Sequence, residues 1–252
     1  MDMENAYTDF ATVYDRFMEE VPYAQWLLFL EQIWQKEKIE VQTIADLGCG
    51  TGNLLVPFAK KGYNLIGVDA SFDMLAQAEQ KLRYEKCHAV LLEQDLTDFS
   101  LPEQADCILS VCDSLNYLTE DGELSAAFAC VKRYLKPNGI FCFDMNTVYQ
   151  FETILADHTY AATEEDAAYI WENYYDAEEK INEYAVTFFL QNADGTYQRT
   201  EELHYERAYD IEEIKNALEA NGLMISDMFD NYMSAAPHAA SQRILFVAKH
   251  CR

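Results

Sequence analysis

A glycine-rich loop follows the first strongly apolar segment of the sequence. Asp46 precedes three glycines at alternate positions, Gly48, Gly50 and Gly52, and Asn53 opens the next amphipathic stretch. Because glycine has no Cβ, this spacing lets the backbone turn tightly and approach a ligand closely. Backbone N–H groups at the start of the following helix favour negatively charged or polar ligand groups. The loop is therefore a candidate binding site for a nucleotide-like cofactor.

Acidic residues mark the ends of the next three predicted strands. Asp69 ends the second strand, Asp95 follows the third, and Asp113 follows the fourth. The carboxyl ends of strands in an open parallel sheet meet at one edge, where such sheets bind ligands. A carboxylate at Asp69 can accept hydrogen bonds from both hydroxyls of a ribose. The predicted cofactor site therefore extends beyond the glycine loop.

Two classes of cofactor are compatible with a glycine loop followed by an acid. Nicotinamide oxidoreductases have Gly-x-Gly-x-x-Gly spacing, whereas the glycines here are spaced Gly-x-Gly-x-Gly. An aspartate just before the glycines is poorly placed near a pyrophosphate, but it suits a ligand that carries an ammonium group. The pattern favours a cationic adenosyl amino acid, and a nicotinamide-dependent oxidoreductase is the alternative from another reaction class.

Short apolar runs alternate with amphipathic stretches between residues 41 and 146. Five strands are predicted in this region, over residues 43–47, 64–68, 88–92, 105–111 and 140–145. Ser71 is a predicted N-cap of one intervening helix, and Asp210 is a predicted N-cap of a later helix. This alternation predicts right-handed crossovers and a parallel sheet covered on both faces. Residues 223–229 and 244–249 are predicted to form two final strands.

The alternation of strands and helices stops after Asn146. Three segments with alternating Tyr, Phe, Glu and Thr residues then follow, over residues 169–175, 181–190 and 197–209. Asn192 to Gly195 supplies a turn between the last two segments, which predicts a hairpin. The expected domains are an N-terminal helical cap (1–40), a cofactor-binding core (41–146 and 210–252) and an antiparallel β insertion that forms a substrate-side lid (147–209).

Charge and cysteine usage restrict the expected partners and compartment. The net charge is −26, with 18 Lys and Arg against 44 Asp and Glu, so a nucleic acid would meet a repulsive field. No apolar run reaches the roughly 18 to 20 residues of a membrane span, and the start of the chain lacks the pattern of a signal peptide. Seven cysteines without a Cys-x-x-Cys pair favour a reducing compartment and no structural metal. We expect a cytoplasmic monomer or homodimer that acts on a small molecule.

Taken together, the motifs resemble those of class I S-adenosylmethionine-dependent methyltransferases, over roughly residues 41–146 and the last two strands. The resemblance implies an α/β fold with a Rossmann-like, doubly wound, seven-stranded sheet whose last strand is antiparallel, and an antiparallel β insertion after the fifth strand. S-adenosyl-L-methionine is then the expected cofactor. The residues that would bind it are Asp46, Gly48, Cys49, Gly50, Gly52, Asn53, Asp69, Ala70, Met74, Asp95, Leu96, Cys112, Asp113 and Ser114.

The resemblance also assigns a part of the cofactor to each motif. The ammonium group would lie near Asp46, and Asp69 would hold the ribose. Met74 would pack near the adenine, whose amino group would bond to the segment at Asp95. Residues 112–114 would line the cofactor close to its methyl group.

Within this family, the layout is similar to the glycine N-methyltransferases and the amino-sugar N,N-dimethyltransferases. Those proteins share an N-terminal segment with tyrosines that folds over the cofactor, here Tyr7 and Tyr14-Asp15. The Asn-Pro-Pro-Tyr-type motif of nucleobase amino-methyltransferases is absent, and residues 113–116 replace it. The expected reaction is methyl transfer to N or O of a small molecule by in-line displacement. The alternatives are an RNA or protein methyltransferase and a non-catalytic module that binds the cofactor.

An amine acceptor must lose a proton before it can attack, so a base is expected in the site. Tyr14 and His204 are the predicted catalytic residues. The other candidate bases are Glu172, Glu202, Tyr205 and His238. His204 and Tyr205 are adjacent on a predicted strand, so one of them should point outward.

Overall fold

The computed structural model describes Asp15, Met18 and residues 21–163 and 165–251. The strands are β1 Thr43–Leu47, β2 Asn64–Asp69, β3 Val90–Glu93, β4 Ala105–Ser110, β5 Leu135–Asn146, β6 Thr159–Thr163, β7 Ala167–Asp176, β8 Ile181–Gln191, β9 Tyr197–Arg207, β10 Leu223–Asp230 and β11 Arg243–His250. The α-helices are α1 Tyr23–Glu37, α2 Leu55–Lys60, α3 Phe72–Tyr84, α4 Glu123–Tyr134 and α5 Ile211–Ala220, with a 3₁₀ turn at Ser114–Tyr117 and a π-helix at Gln150–Leu155. None of the helices within the described ranges has the length and apolar character needed to cross a membrane.

Seven strands form the first sheet, in the order β10-β11-β5-β4-β1-β2-β3. The pairs among β1 to β5 are parallel, whereas β11 is antiparallel to both β5 and β10. This sheet confirms the predicted α/β fold with its antiparallel last strand. Residues 136–139, which precede the predicted fifth strand, lie within β5, where its register with β4 shifts.

Apolar residues cover both faces of the first sheet, because parallel strands in its centre are enclosed by helices. All five residues of β1 are buried. One face packs against α4 and α5, and a column of rings at Phe141, Phe143 and Phe246 has centroid distances of 4.6 and 5.0 Å. The other face packs against α1, α2 and α3. These two layers fix the positions of the strand ends.

Side-chain caps define where two of the helices begin, as predicted. The Ser71 hydroxyl accepts a hydrogen bond from the backbone N–H of Met74 at 3.3 Å, at the start of α3. Asp210 and Glu213 form a reciprocal capping box at the start of α5. Each cap satisfies N–H groups that have no partner within the helix.

Four antiparallel strands form the second sheet, in the order β6-β7-β8-β9. β8 and β9 pair from Ile181 opposite Arg207 to Gln191 opposite Tyr197, which confirms the hairpin predicted around residues 192–195. The edge strand β6 was missing from the prediction. Four of the five residues of β6 are exposed, so its sequence lacks the alternation of apolar and polar residues that predicts a strand. The predicted division into domains stays a prediction, although this sheet falls within residues 147–209.

One buried side chain connects the two sheets. Asn116 is fully buried, and its amide nitrogen donates to the carbonyl oxygens of Asn146 at 3.2 Å and Arg207 at 2.8 Å. Its amide oxygen accepts from the backbone N–H of Asn146 at 2.9 Å. Because Asn146 ends β5 and Arg207 ends β9, this residue fixes the second sheet against the first.

Replacing Asn116 with alanine should destabilise the protein by about 1 to 3 kcal/mol, since buried backbone groups lose their partners. The free energy of unfolding in urea measures this change. Asn64→Ala, at an exposed position, serves as the control and should change stability by less than about 0.5 kcal/mol. Equal stabilities of the two variants would show that Asn116 does not hold the sheets together.

Candidate functional site

A cavity of about 610 Å³ lies between the carboxyl edge of the first sheet and the second sheet. Ligand pockets typically have volumes of about 300 to 1,000 Å³. One end is lined by the glycine loop and by the segments that follow β2, β3 and β4. The other end is lined by residues of β7, β8 and β9. The cavity therefore has two ends built by different parts of the chain.

The glycine loop approaches the fourth-strand segment too closely for a side chain. Gly48 has a φ of +71°, and a Cβ at this position would overlap the Ser114 hydroxyl. The backbone N–H groups of Gly48 and Cys49 donate to the carbonyl of Val68 at 2.8 and 3.0 Å, which fastens the loop to β2. The exposed backbone of the loop thus forms part of the cavity wall.

Asp69 ends β2 with its carboxylate on the cavity wall. One oxygen accepts from the backbone N–H of Gly50 at 2.7 Å, and the other accepts from that of Ser71 at 2.9 Å. Burial raises the pKa of Asp69, although the backbone hydrogen bonds oppose this change. The two bonds hold the carboxylate in a fixed orientation, and each oxygen keeps capacity for a further donor.

Asp46 is buried beneath the glycine loop, with 3% of its surface exposed. Its Oδ1 atom has no hydrogen-bond partner within the described part of the chain. Burial, together with the nearby charge of Asp69, raises the pKa of Asp46 to about 7. An added cation would stabilise the ionised form of this carboxyl, so the position suits a ligand ammonium group.

Backbone N–H groups also shape the segment after β4. Cys112 and Asp113 both have a φ of +55°, and their N–H groups donate to the two carboxylate oxygens of Asp144, at 3.1 and 2.8 Å. Burial raises the pKa of the Cys112 thiol beyond its usual range. These bonds place Cys112, Asp113 and Ser114 on the cavity wall.

The structure brings most of the predicted cofactor-binding residues together. Those on the cavity wall are Gly48, Gly50, Asp69, Ala70, Met74, Asp95, Leu96, Cys112, Asp113 and Ser114. Cys49 is buried in the core between α2 and β2, and Gly52 packs against Ala78 of α3. Four predicted residues are not on the wall, namely Asp46, Cys49, Gly52 and Asn53. Their assignment to the cofactor stays a prediction.

Asn53 belongs to a polar cluster on the outer side of the loop. Its side-chain oxygen accepts from the Lys81 ammonium at 2.6 Å. The same ammonium lies 2.7 Å from the carboxylate of Asp15, which also accepts from the Thr51 hydroxyl at 2.6 Å. Asp15 thus connects the N-terminal segment to the loop, whereas its predicted partners Tyr7 and Tyr14 lie outside the described residues.

Aromatic side chains form most of the other end of the cavity. Tyr169 and Trp171 of β7 and Tyr184 and Phe188 of β8 line it, and the Trp171 and Tyr184 rings meet edge to face with centroids 5.3 Å apart. The aromatic side chains of β7 divide between its two faces, because Tyr174 is 61% exposed. This arrangement follows from the alternation of side chains along a strand.

The candidate bases differ in their access to the cavity. His204 is buried and lines it, and its Nε2 atom lies 3.2 Å from Oε2 of Glu202, which is buried beside it. Glu172 is exposed, and His238 lies 3.3 Å from Asp230 with a 61% exposed side chain. Tyr205, which hydrogen-bonds Glu183, is also not on the wall. Tyr14, the other predicted catalytic residue, lies outside the described residues.

A group of charged and polar residues forms the cavity floor, and Asp113 is its one member that the sequence predicted as a site residue. Arg243 Nη1 lies 2.5 Å from Asp144 Oδ1 and 3.3 Å from Asp113 Oδ1. The side-chain amide nitrogen of Asn146 donates to Asp113 at 2.7 Å and to Glu206 at 3.3 Å. We call these five residues the floor cluster. Four of them line the cavity, and Asp144 lies behind them, fully buried.

A signal for Glu206 was present in the sequence. Glu202, His204 and Glu206 occupy every second position of β9, and all three are buried. Leu203 and Tyr205, the alternate residues, lie on the outer face. A strand whose polar residues share one face and whose apolar residues share the other can turn its polar face toward a site.

Comparisons with known proteins agree with this geometry. A family profile described as "Methyltransferase domain" matches residues 44–139. A protein from Geobacillus sp. (strain WCH70), named as a methyltransferase, is 34% identical over 244 residues, which are 96% of this chain and 99% of that protein. The crystal structure of an S-adenosylmethionine-dependent methyltransferase from Clostridium acetobutylicum ATCC 824 is 30% identical and has a TM-score of 0.88, covering 98% of this chain and 99% of that one. The chain belongs to the S-adenosylmethionine-dependent methyltransferases.

A third relative shares about half of its length with this methyltransferase. It is the dTDP-3-amino-3,4,6-trideoxy-alpha-D-glucopyranose N,N-dimethyltransferase of Streptomyces venezuelae, 31% identical over 134 residues, which are 52% of this chain and 55% of that enzyme. The predicted family, its similarity to the amino-sugar group, the enzyme class and the cofactor are thereby confirmed. Membership of this family rules out the alternative of a nicotinamide-dependent oxidoreductase.

The residues present fit S-adenosylmethionine. The Oδ1 atom of Asp46, which has no hydrogen-bond partner among the residues that the structure describes, matches the need of the cofactor ammonium group for an acceptor. The close approach of the Gly48 backbone to Ser114 provides a cradle that a Cβ would fill. The Asp69 carboxylate faces the cavity in a fixed orientation, as recognition of a ribose diol requires.

The affinity of the methyltransferase for S-adenosylhomocysteine should rise about tenfold between pH 6 and pH 8. A group with a pKa of about 7 is mostly neutral at pH 6 and mostly ionised at pH 8, and only the ionised form of Asp46 attracts the ligand ammonium. Calorimetric titration across this range measures the effect. Asp46→Asn should bind more weakly and remove the pH dependence, whereas the exposed control Asp98→Asn should keep it. A flat profile for the unmodified protein would contradict this role of Asp46.

Proposed function

We propose that this methyltransferase transfers a methyl group to an amine nitrogen of a small molecule. The proposal is based on the lining of the acceptor end of the cavity, where aromatic walls surround a floor with an excess of carboxyl groups. A cationic amine is the acceptor that this combination attracts most strongly, because aromatic faces and carboxylates both bind cations.

The charges of the wall support nitrogen over oxygen as the atom methylated. Among the described wall residues at the acceptor end, Asp113 and Glu206 carry carboxyl groups, and Arg243 is the one Lys or Arg. Arg243 is already bound between Asp113 and Asp144. A neutral hydroxyl would gain little from this negative environment, whereas an ammonium group would gain a charge-assisted hydrogen bond.

The size and position of the cavity support a small acceptor. The second sheet lies across the carboxyl edge of the first, and the volume of about 610 Å³ must hold both cofactor and acceptor. The net charge of −26 disfavours RNA as a substrate. The second sheet is therefore proposed as the substrate-side lid.

The free cysteines support the proposal that the enzyme works in a reducing compartment such as the cytoplasm.

The similarity to the amino-sugar N,N-dimethyltransferase of Streptomyces venezuelae supports an amine acceptor as well. That relative covers only about half of the chain. The similarity therefore supports nitrogen as the acceptor atom, and the proposal does not extend to a sugar as the substrate.

The proposed roles follow from the places of Asp69, Met74 and Leu96 on the wall and of Asp46 buried behind it. Asp46 would hold the cofactor ammonium, Asp69 the ribose hydroxyls, and Met74 and Leu96 the adenine. When bound, S-adenosylmethionine supplies an electrophilic methyl carbon on a positively charged sulfur. The protein aligns the acceptor nitrogen with that carbon and keeps water out, and such positioning contributes several kcal/mol to the rate.

Transfer of radioactive methyl groups to a metabolite extract tests the proposed function. With S-adenosylmethionine labelled at its methyl group, the label should enter the dialysable fraction. It should be lost when amines in the extract are first acylated with an N-hydroxysuccinimide ester. Label in protein or RNA, or label that survives amine acylation, would overturn the proposal.

A further inference from the structure

Glu206 is a buried carboxyl group on the cavity wall. It lies near the end of β9 with 3% of its surface exposed, and its side chain faces the acceptor end. Burial of an ionisable group is costly unless the group is paired and hydrogen-bonded, and a buried carboxyl group in a cleft is therefore a candidate functional residue. The residue is also absent from the set that the family motifs assign to the cofactor.

The hydrogen bonds of Glu206 come from neutral groups. Asn146 donates to its Oε2 atom at 3.3 Å, and the Tyr184 hydroxyl is its other side-chain partner. Within the described residues, Glu206 forms no salt bridge, since the guanidinium of Arg243 is bound by Asp113 and Asp144. Glu206 therefore has two neutral hydrogen-bond partners, and in the described part of the chain Arg243 acts on it only from beyond salt-bridge distance.

The floor cluster has an unbalanced charge. Asp113, Asp144 and Glu206 contribute three carboxyl groups, and Arg243 contributes one guanidinium. A cation that entered beside Glu206 would reduce this imbalance, and the burial of Glu206 makes electrostatic interactions stronger there than in bulk water. The aromatic wall at Trp171 and Tyr184 suits the hydrocarbon part of such a cation.

We propose that Glu206 binds the ammonium group of the acceptor and removes its proton, which deepens the proposed function and rests on it. In this step an N–H bond of the ammonium breaks, and its electron pair stays on nitrogen as the lone pair that attacks the methyl carbon. The proton forms an O–H bond with the Glu206 carboxylate. It passes to solvent when the methylated product leaves.

The surroundings of Glu206 make it a stronger base than an exposed carboxylate. Burial and the charge of Asp113 raise the pKa of Glu206 well above its usual range, and a base works best when its pKa is close to the working pH. The ionisable groups that act on it are Asp113, Tyr184 and Arg243. His204 lines the same wall, and Asp144 binds Arg243 behind it. Activity should rise with pH as the carboxyl ionises.

Binding of benzylamine and of its neutral counterpart benzyl alcohol tests the recognition step. With the enzyme saturated with S-adenosylhomocysteine, benzylamine should bind roughly 10 to 100 times more tightly than the alcohol, the effect of a charge-assisted hydrogen bond. Glu206→Gln should abolish this preference and leave the affinity for S-adenosylhomocysteine unchanged, which also shows that the variant is folded. Glu201→Gln, with the same change at an exposed residue of β9, should keep the preference. No preference in the unmodified enzyme, or a preference that survives in Glu206→Gln, would overturn the proposal.

The rate of label transfer to extract amines tests the proton-transfer step. Glu206→Gln should lower this rate by about 100-fold or more, and it should lose the rise in rate with pH. Glu206→Asp should recover part of the rate, because it restores a carboxylate. If amines are labelled by the unmodified enzyme and equally by Glu206→Gln, the role of Glu206 is wrong while the proposed function holds. If amines are not labelled at all, the proposed function fails together with the proton transfer that rests on it.

Discussion

Arg243 lies between Asp113 and Asp144, and this cluster of charges joins three elements at the floor of the cavity. Asp144 belongs to β5, Arg243 begins β11, and Asp113 follows β4. Removing charges from water is costly, but the carboxylate of Asp144 also accepts two backbone N–H bonds. Asn146 extends the cluster to Glu206 of β9. The floor cluster therefore joins the second sheet to the first, in addition to the hydrogen bonds of Asn116.

This cluster separates two regions with different chemistry. On one side, the glycine loop and Asp69 form a rigid wall whose bonds are largely between backbone groups and carboxylates. Such a wall suits a cofactor that is the same in every turnover. On the other side, aromatic side chains of β7 and β8 make a surface that can recognise a ligand by its shape and charge. The first region contains the motifs shared with the family, and we propose that the second region selects the acceptor.

The sequence predicted the elements whose signals are local. The glycine loop, the caps at Ser71 and Asp210, and the alternation of strands and helices all depend on neighbouring residues, and they led to the correct sheet. The edge strand β6 was missed because it is mostly exposed. Glu206 was missed because its environment comes from distant parts of the chain, with Asn146 60 residues away. Local alternation shows that one face of β9 is polar, but it does not show what that face meets.

A crystal structure of the enzyme with S-adenosylhomocysteine tests the central claim that one cavity holds cofactor and acceptor on opposite sides of the floor cluster. The ligand amino group should lie at the glycine loop above Asp46, and its ribose should bond to Asp69. Its sulfur should then face the space between Ser114 and Glu206. A sulfur atom directed away from β9, or a ligand bound outside this cavity, would show that the cavity does not hold cofactor and acceptor in this way.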